Sequence, residues 1–220
     1  IADTSKILST YGNAFMLRTD SDKKLDEFKK YSNIPIINGL SPSSHPTQVL
    51  SDIFTIQEIK KKSISKLKLC WIGDANNNMM NSLIEACIKF SVSLNIACPK
   101  DYQPNKALIT LIKKQKGKIK IFNKKEKAVK NSDVVMTDKI ISLNDKVNKK
   151  KKLKSFKNFK VDTKTMNLAK KDAIFLHCLP RGNEVTEEVF LGKQSRVWQQ
   201  ALNRVYVQKS ILLYCFGKLR

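Results

Sequence analysis

Residues 66–99, KLKLCWIGDANNNMMNSLIEACIKFSVSLNIACP, constrain the fold more than any other stretch. An apolar run ends in a Gly-Asp turn, a polar segment leads into an amphipathic helix over Asn81–Ser91, and a second apolar run, LNIACP, follows. Strand, helix, strand in that order is a crossover unit, which requires the two strands to be parallel. In such sheets ligands bind beyond the carboxyl ends of the strands. Three polar motifs follow predicted strands: GDANNN (73–78) after KLKLCWI, TDKIISL (137–143) after SDVVMT, and HCLPR (177–181) after AIFL. All three are therefore expected on one edge of one sheet.

The remaining segments keep the alternation. NAFMLR (13–18) and IPIING (34–39) read as short buried strands with a helix over Asp22–Tyr31 between them. HPTQVLSDIFTIQEI places Val49, Leu50, Ile53, Ile56 and Ile59 at helical spacing, and Pro46 suits a first turn. LIKKQKGKIKIF supplies a helix end and a strand. A last helix over about 194–216 carries Val197, Ala201, Val205, Ile211 and Leu212 and is long enough to return to another domain. The Lys-rich stretch 146–154 reads as an exposed loop or a helix start. The expected architecture is α/β, with two doubly wound parallel-sheet domains joined by long helices. The first, incomplete, comprises residues 1–59 plus 193–220, and the second residues 60–192.

The chain has 220 residues and a net charge of +23. Only five of its 42 basic residues are Arg, leaving 37 Lys spread along the whole length. Readers of duplex DNA lean on Arg for bidentate base contacts, so this excess reads as a solvated surface rather than a nucleic-acid surface. It still attracts anionic substrates. No apolar run approaches the ~20 residues needed to span a bilayer, so no membrane partner is expected. The five Cys are scattered without a C-x-x-C pair, which argues against zinc and disulfides and for a reducing compartment. No metal and no organic cofactor is implied.

Where so Lys-rich a chain keeps Arg, the planar fork of the guanidinium is the property that Lys lacks. Arg18 closes an apolar run, and Arg204 sits in ALNRVYVQKS. The two His are as sparing: His45 opens HPTQVLSD, and His177 lies in FLHCLPRGNEV. On local pattern alone, His177 and Cys178 are equally readable as satisfied groups closing a core strand. His45 is readable as a packing residue at a helix start, and Arg204 as half of a surface ion pair.

Five motifs in one order, HPTQVLSDIFTIQE, WIGDANN, TDKIISL, FLHCLPR and ALNR, resemble those of ornithine carbamoyltransferases, from Ile1 to near the C-terminus. HCLP resembles this branch rather than the aspartate carbamoyltransferases. Ala75 stands where the family usually has Gly, Leu143 and Asn144 where its mobile loop reads Met-Gly, and Leu202 where a Glu is common. The family's Ser-Thr-Arg-Thr-Arg phosphate-binding segment does not occur, so residues 1–220 alone are expected to make no citrulline at a measurable rate.

The resemblance implies transfer of the carbamoyl group of carbamoyl phosphate to the side-chain amine of L-ornithine, giving L-citrulline and phosphate, a step of arginine biosynthesis or of urea-cycle type. It implies catalytic roles for Arg18, His45, Cys178 and Arg204. Carbamoyl phosphate is expected to meet Arg18, His45, Gln48, Cys178, Leu179 and Arg204, and ornithine to meet Asn77, Asp138, Ser142 and Leu143. A homotrimer is implied, in the cytoplasm or, in a eukaryote, the mitochondrial matrix. The alternatives are a carbamoyltransferase for another amine such as putrescine, or a non-catalytic basic module that binds RNA.

Overall fold

The computed structural model describes residues 1–141 and 148–219. The chain alternates as expected. Helix α1 (Ala2–Tyr11), strand β1 (Phe15–Arg18), α2 (Asp22–Tyr31), β2 (Ile36–Leu40) and the long α3 (Pro46–Lys60) come first. Then follow β3 (Lys68–Ile72), α4 (Asn78–Lys89), β4 (Ser93–Ala97), α5 (Lys106–Lys114), β5 (Ile119–Phe122), α6 (Lys125–Val129) and β6 (Val134–Thr137). Helices α7 (Lys149–Ser155) and α8 (Thr163–Asn167), strand β7 (Ile174–His177), α9 (Glu187–Phe190) and α10 (Val197–Cys215) complete it. Helix α1 has no counterpart in the sequence reading.

Strands β1 and β2 form a parallel pair, and the other five form a parallel sheet in the order β5-β4-β3-β6-β7. The chain winds outward from β3 through β4 to β5, then crosses back and winds the other way through β6 to β7. The order reverses between β3 and β6, which is where sheets of this kind hold a ligand crevice, at the carboxyl ends of the strands. The GDANNN turn leaves β3 and Asp138 follows β6 at this point, with His177 ending the neighbouring β7.

Both faces of the sheet are covered, as alternation along each strand requires. Leu69, Trp71, Leu94, Ile96, Met136 and Leu176 face a layer built from α3, α4 and α5. Cys70, Ile72, Ala97, Val135 and Phe175 face the other layer, which includes residues of α6, α8 and α9. Trp71 and Phe175 are among the largest fully buried side chains, each contributing ~1.5–3 kcal/mol or more by burial. Helix α10 packs along α3 and touches β7, so it returns toward the first unit as its length suggested.

Local boundaries have local causes. Helix α4 begins at Asn78, three residues before the sequence reading placed it, because Asn77 Oδ1 accepts the Met80 N–H at 2.8 Å and caps the helix. Gly73 turns the chain off β3 at φ 145°, in the region that favours glycine, and an added Cβ would lie 3.2 Å from Thr137 Oγ1. The Lys-rich stretch does start a helix, but it is not wholly exposed. Lys152 is buried, with Nζ 2.7 Å from Asp74 Oδ2 and over the Tyr102 ring. That pair ties α7 to the turn after β3.

Candidate active site at the carboxyl edge of the sheet

His45 caps the start of α3, and Pro46 supplies the first helical residue without needing a backbone donor. The loop before it is held by α4: His45 N–H donates to Ser82 Oγ at 2.9 Å, Asn78 Nδ2 to the Ser41 carbonyl at 2.8 Å, and Asn81 Nδ2 to that of Ser43 at 2.9 Å. These bonds dock the α3 start against the helix that follows the GDANNN turn. The imidazole is buried. Burial, followed by the charges of Arg204 and Arg18, pulls it down to about 4. His45 is therefore neutral near pH 7 and has one ring N–H to donate.

Arg18 is the exposed last residue of β1, and Arg204 lies half-buried on α10. Neither makes an ion pair among the described residues, yet the charge of each acts on His45. Arg204 also acts on Asp52 and Cys178. The other two described Arg are occupied elsewhere. Arg181 stacks on Phe190 at 4.5 Å and meets Glu187 at 3.6 Å, while Arg196 donates to the carbonyls of Lys193 and Ser195. Two uncompensated guanidinium groups around a buried neutral imidazole make a place for an anion bearing a polar carbonyl.

Gln48 lies one helical turn beyond His45 and is buried. Its Nε2 donates to Asp52 Oδ1 at 2.8 Å, which leaves Oε1 as the end able to accept an N–H. Asp52 also accepts from Gln200 Nε2 at 2.7 Å, and Gln200 Oε1 accepts the His177 N–H at 2.9 Å. Burial, against these bonds, raises Asp52 to about 6.

Asp138 supplies the acid at the crevice. Its Oδ1 accepts the Lys139 N–H at 2.7 Å. Burial first, with Glu184 and Asp74 adding to it, pushes the carboxyl up to about 6 against the pull of that N–H and of His177. Asn77 is half-buried, with Oδ1 capping α4 and Nδ2 donating to the Asp74 carbonyl at 3.1 Å. Ser142 and Leu143 lie outside the described residues.

The end of β7 is pinned from several sides. His177 Nε2 is 2.7 Å from Glu184 Oε1, a buried contact, and its Nδ1 meets the Cys178 carbonyl. Burial alone would raise Glu184, but the bonds from His177 and the Gly182 N–H hold it below its usual range. Desolvation, then Asp138 and Asp52, raises the Cys178 thiol well above its ordinary value. The thiol is a protonated group, not a thiolate. Leu179 is exposed, and the Leu179–Pro180 bond is cis.

The fold thus brings together Arg18, His45 and Gln48 from the first segment, Arg204 from α10, and Asp138 and Cys178 from adjacent strands. Four residues escaped the sequence reading: Asp52, Glu184, Gln200 and Lys152. Asp52 left one trace, an acid on the apolar stripe between Val49 and Ile56.

Comparison with known proteins identifies the family. Residues 1–58 match the family model described as aspartate/ornithine carbamoyltransferase, carbamoyl-P binding domain. Residues 65–215 match its companion, the Asp/Orn binding domain. The ornithine carbamoyltransferase of Caldicellulosiruptor saccharolyticus is 43% identical over 100% of this chain and 73% of its own length. That of Methanocorpusculum labreanum is 40% identical over 97% of this chain and 70% of its own. The crystal structure of the anabolic ornithine carbamoyltransferase from Campylobacter jejuni superposes with a TM-score of 0.92 at 38% identity, over 99% of this chain and 73% of that one. The Pyrococcus furiosus ornithine carbamoyltransferase gives 0.90 at 37% identity, over 100% of this chain and 71% of that one. With both family models matched and relatives this similar along its whole length, the chain belongs to the aspartate/ornithine carbamoyltransferase family.

Proposed function

We propose that the protein transfers the carbamoyl group of carbamoyl phosphate to the side-chain amine of L-ornithine, releasing L-citrulline and phosphate. The observation that carries this reading is the pairing of neutral His45, which feels the charges of two Arg without an ion pair among the described residues, with a half-buried acid, Asp138, at the carboxyl edge of the sheet. In the reaction the neutral amine nitrogen attacks the carbamoyl carbon. The carbon–oxygen bond to phosphorus breaks, its electron pair leaves with phosphate, and the amine gives up its proton. Negative charge grows first on the carbonyl oxygen and then on the leaving group. His45, through its ring N–H, and Arg18 face the carbonyl oxygen, and Arg204 closes over the phosphate. Gln48 Oε1 and the backbone carbonyls of Cys178 and Leu179 accept from the carbamoyl NH₂. Asp138 holds the α-ammonium of ornithine, with Asn77, Ser142 and Leu143 beside it. The Cys178 thiol lies next to the amine as a neutral group. Holding both reactants in this order supplies the rest of the rate.

The step belongs to arginine formation, and a cytoplasmic homotrimer working on these two small substrates, without nucleic acid or membrane, fits the reading. No helix among the described residues is long and apolar enough to cross a membrane. The test is incubation, with carbamoyl phosphate and ornithine, of residues 1–220 preceded by a family segment containing Ser-Thr-Arg-Thr-Arg, because residues 1–220 alone are expected to make no citrulline. Citrulline and phosphate should appear in equal amounts. Phosphate released without citrulline would overturn the reading.

A further inference from the structure

The amide orientations around Asp52 form a chain of forced choices. The His177 backbone N–H can only donate, so the Gln200 atom 2.9 Å away must be Oε1. A primary amide has one end of each kind, so Gln200 turns Nε2 toward Asp52 Oδ1, at 2.7 Å. The same oxygen faces Gln48 at 2.8 Å, and an acceptor there demands Nε2 of Gln48 as well. His177, Gln200, Asp52 and Gln48 are all no more than 3% exposed, so bulk water does not substitute for any partner. Among the described residues, Asp52 Oδ2 has no hydrogen-bond partner. The carboxyl is therefore not placed for its own satisfaction, and an apolar residue would be cheaper to bury.

We propose that Asp52 is a positioning residue that fixes the polarity of the Gln48 amide, so that Gln48 presents its carbonyl oxygen rather than its NH₂ to the carbamoyl group; this rests on the proposed function above. The signal starts at the β7 strand end and reaches the α3 face through Gln200 and Asp52, across residues 148 positions apart in sequence. Without Asp52, Gln48 can present either end, and an NH₂ facing an NH₂ is repulsive.

The test combines citrulline kinetics with nuclear magnetic resonance of the Gln48 side-chain amide, in a parent that carries the same added Ser-Thr-Arg-Thr-Arg segment and in four variants of it. Asp52→Asn can keep an oxygen toward both amides, and its KM for carbamoyl phosphate should stay within about threefold. Asp52→Leu cannot, and should raise that KM about 10- to 100-fold with a smaller change in kcat. In a Gln48→Leu background the further change Asp52→Leu should add nothing to KM, since its effect acts through Gln48. A persistent Asp52→Leu effect in that background, or none in the parent, would overturn the proposal. The amide signal needs neither activity nor a folded Leu variant. In the parent, one Gln48 amide proton should exchange slowly with water, and exchange as fast as an exposed Gln would also overturn it. If the parent makes no citrulline, the functional reading fails and the amide signal alone decides the polarity chain.

Discussion

His45 starts α3 and Asp138 follows β6, and the same loss of water moves them in opposite directions. Burial takes the imidazole down to about 4 and the carboxyl up to about 6. Each is pushed toward its neutral form. The difference lies in the neighbours. Around His45 stand Arg204 and Arg18, whose charges reinforce the shift. Around Asp138 stand Glu184 and Asp74, which also reinforce it, while His177 opposes it. The first half of the site is a neutral donor inside a positive field, suited to an acyl phosphate. The second is a carboxyl waiting for a cation. An incoming ammonium supplies the opposite charge that lowers Asp138 again.

The comparison breaks most visibly if the positive half loses its geometry while keeping its charge. Arg204→Lys should lower kcat/KM for carbamoyl phosphate about 30- to 100-fold, because an ammonium offers no planar fork. Binding of ornithine to the Asp138 side should change little. Steady-state kinetics within twofold of the parent would place Arg204 on the surface.

Proton titration separates the halves next. Asp138 titrates above its usual 3.8, so it is ionised only above about 6. Ornithine affinity should fall as pH drops through 6, by up to about tenfold per unit below it. His45 stays neutral throughout that range, because its change comes near 4. For folding the two signs oppose each other. The Asp138 contribution is full below 3.8 and lost as pH rises through about 6, while that of His45 is full above 6.5 and lost as pH falls toward 4. Calorimetric titration of ornithine between pH 5 and 8 reads the binding limb directly.

A smaller effect sharpens the same limb. Lys152→Met removes the cation 2.7 Å from Asp74, one of the carboxylates that raise Asp138. Less compensated, Asp74 should push the midpoint of ornithine binding upward by up to about one pH unit. A midpoint that does not move would show that Asp74 is too well screened to matter.

The backbone of this account was largely legible in the sequence. Apolar runs located the seven strands among the described residues; β3, β4, β6 and β7 are nearly wholly buried and leave continuous apolar runs, whereas β1, read as buried, is half-buried and exposed in alternation because only β2 pairs with it. Helix α1 carried no such signal: ADTSKILSTY buries only Ser5, and a helix with so little buried surface leaves no periodic trace. In the site, residues at the ends of strands and helices were legible because their chemistry is out of place there, as with Asp138 in TDKIISL or His45 before Pro46. The supporting groups were not. Gln200 meets Asp52 across 148 positions, and Lys152 lies hidden in a run of four Lys, of which only it is buried. No local pattern marks such partners, since topology alone brings them together.

The central claim, an amino-acid amine on the acidic side and carbamoyl phosphate on the basic side, is tested most directly by substrate choice. Ornithine and putrescine share the reacting amine, but only ornithine carries an α-ammonium and α-carboxylate. Citrulline formation from ornithine and carbamoylputrescine formation from putrescine are measured side by side, in the parent and in Asp138→Asn. The parent should favour ornithine by about 100-fold in kcat/KM, and the variant should lose about 10- to 100-fold of this by giving up one charge-assisted bond. A parent that uses both amines equally, or a variant with the parent's preference intact, would contradict the claim.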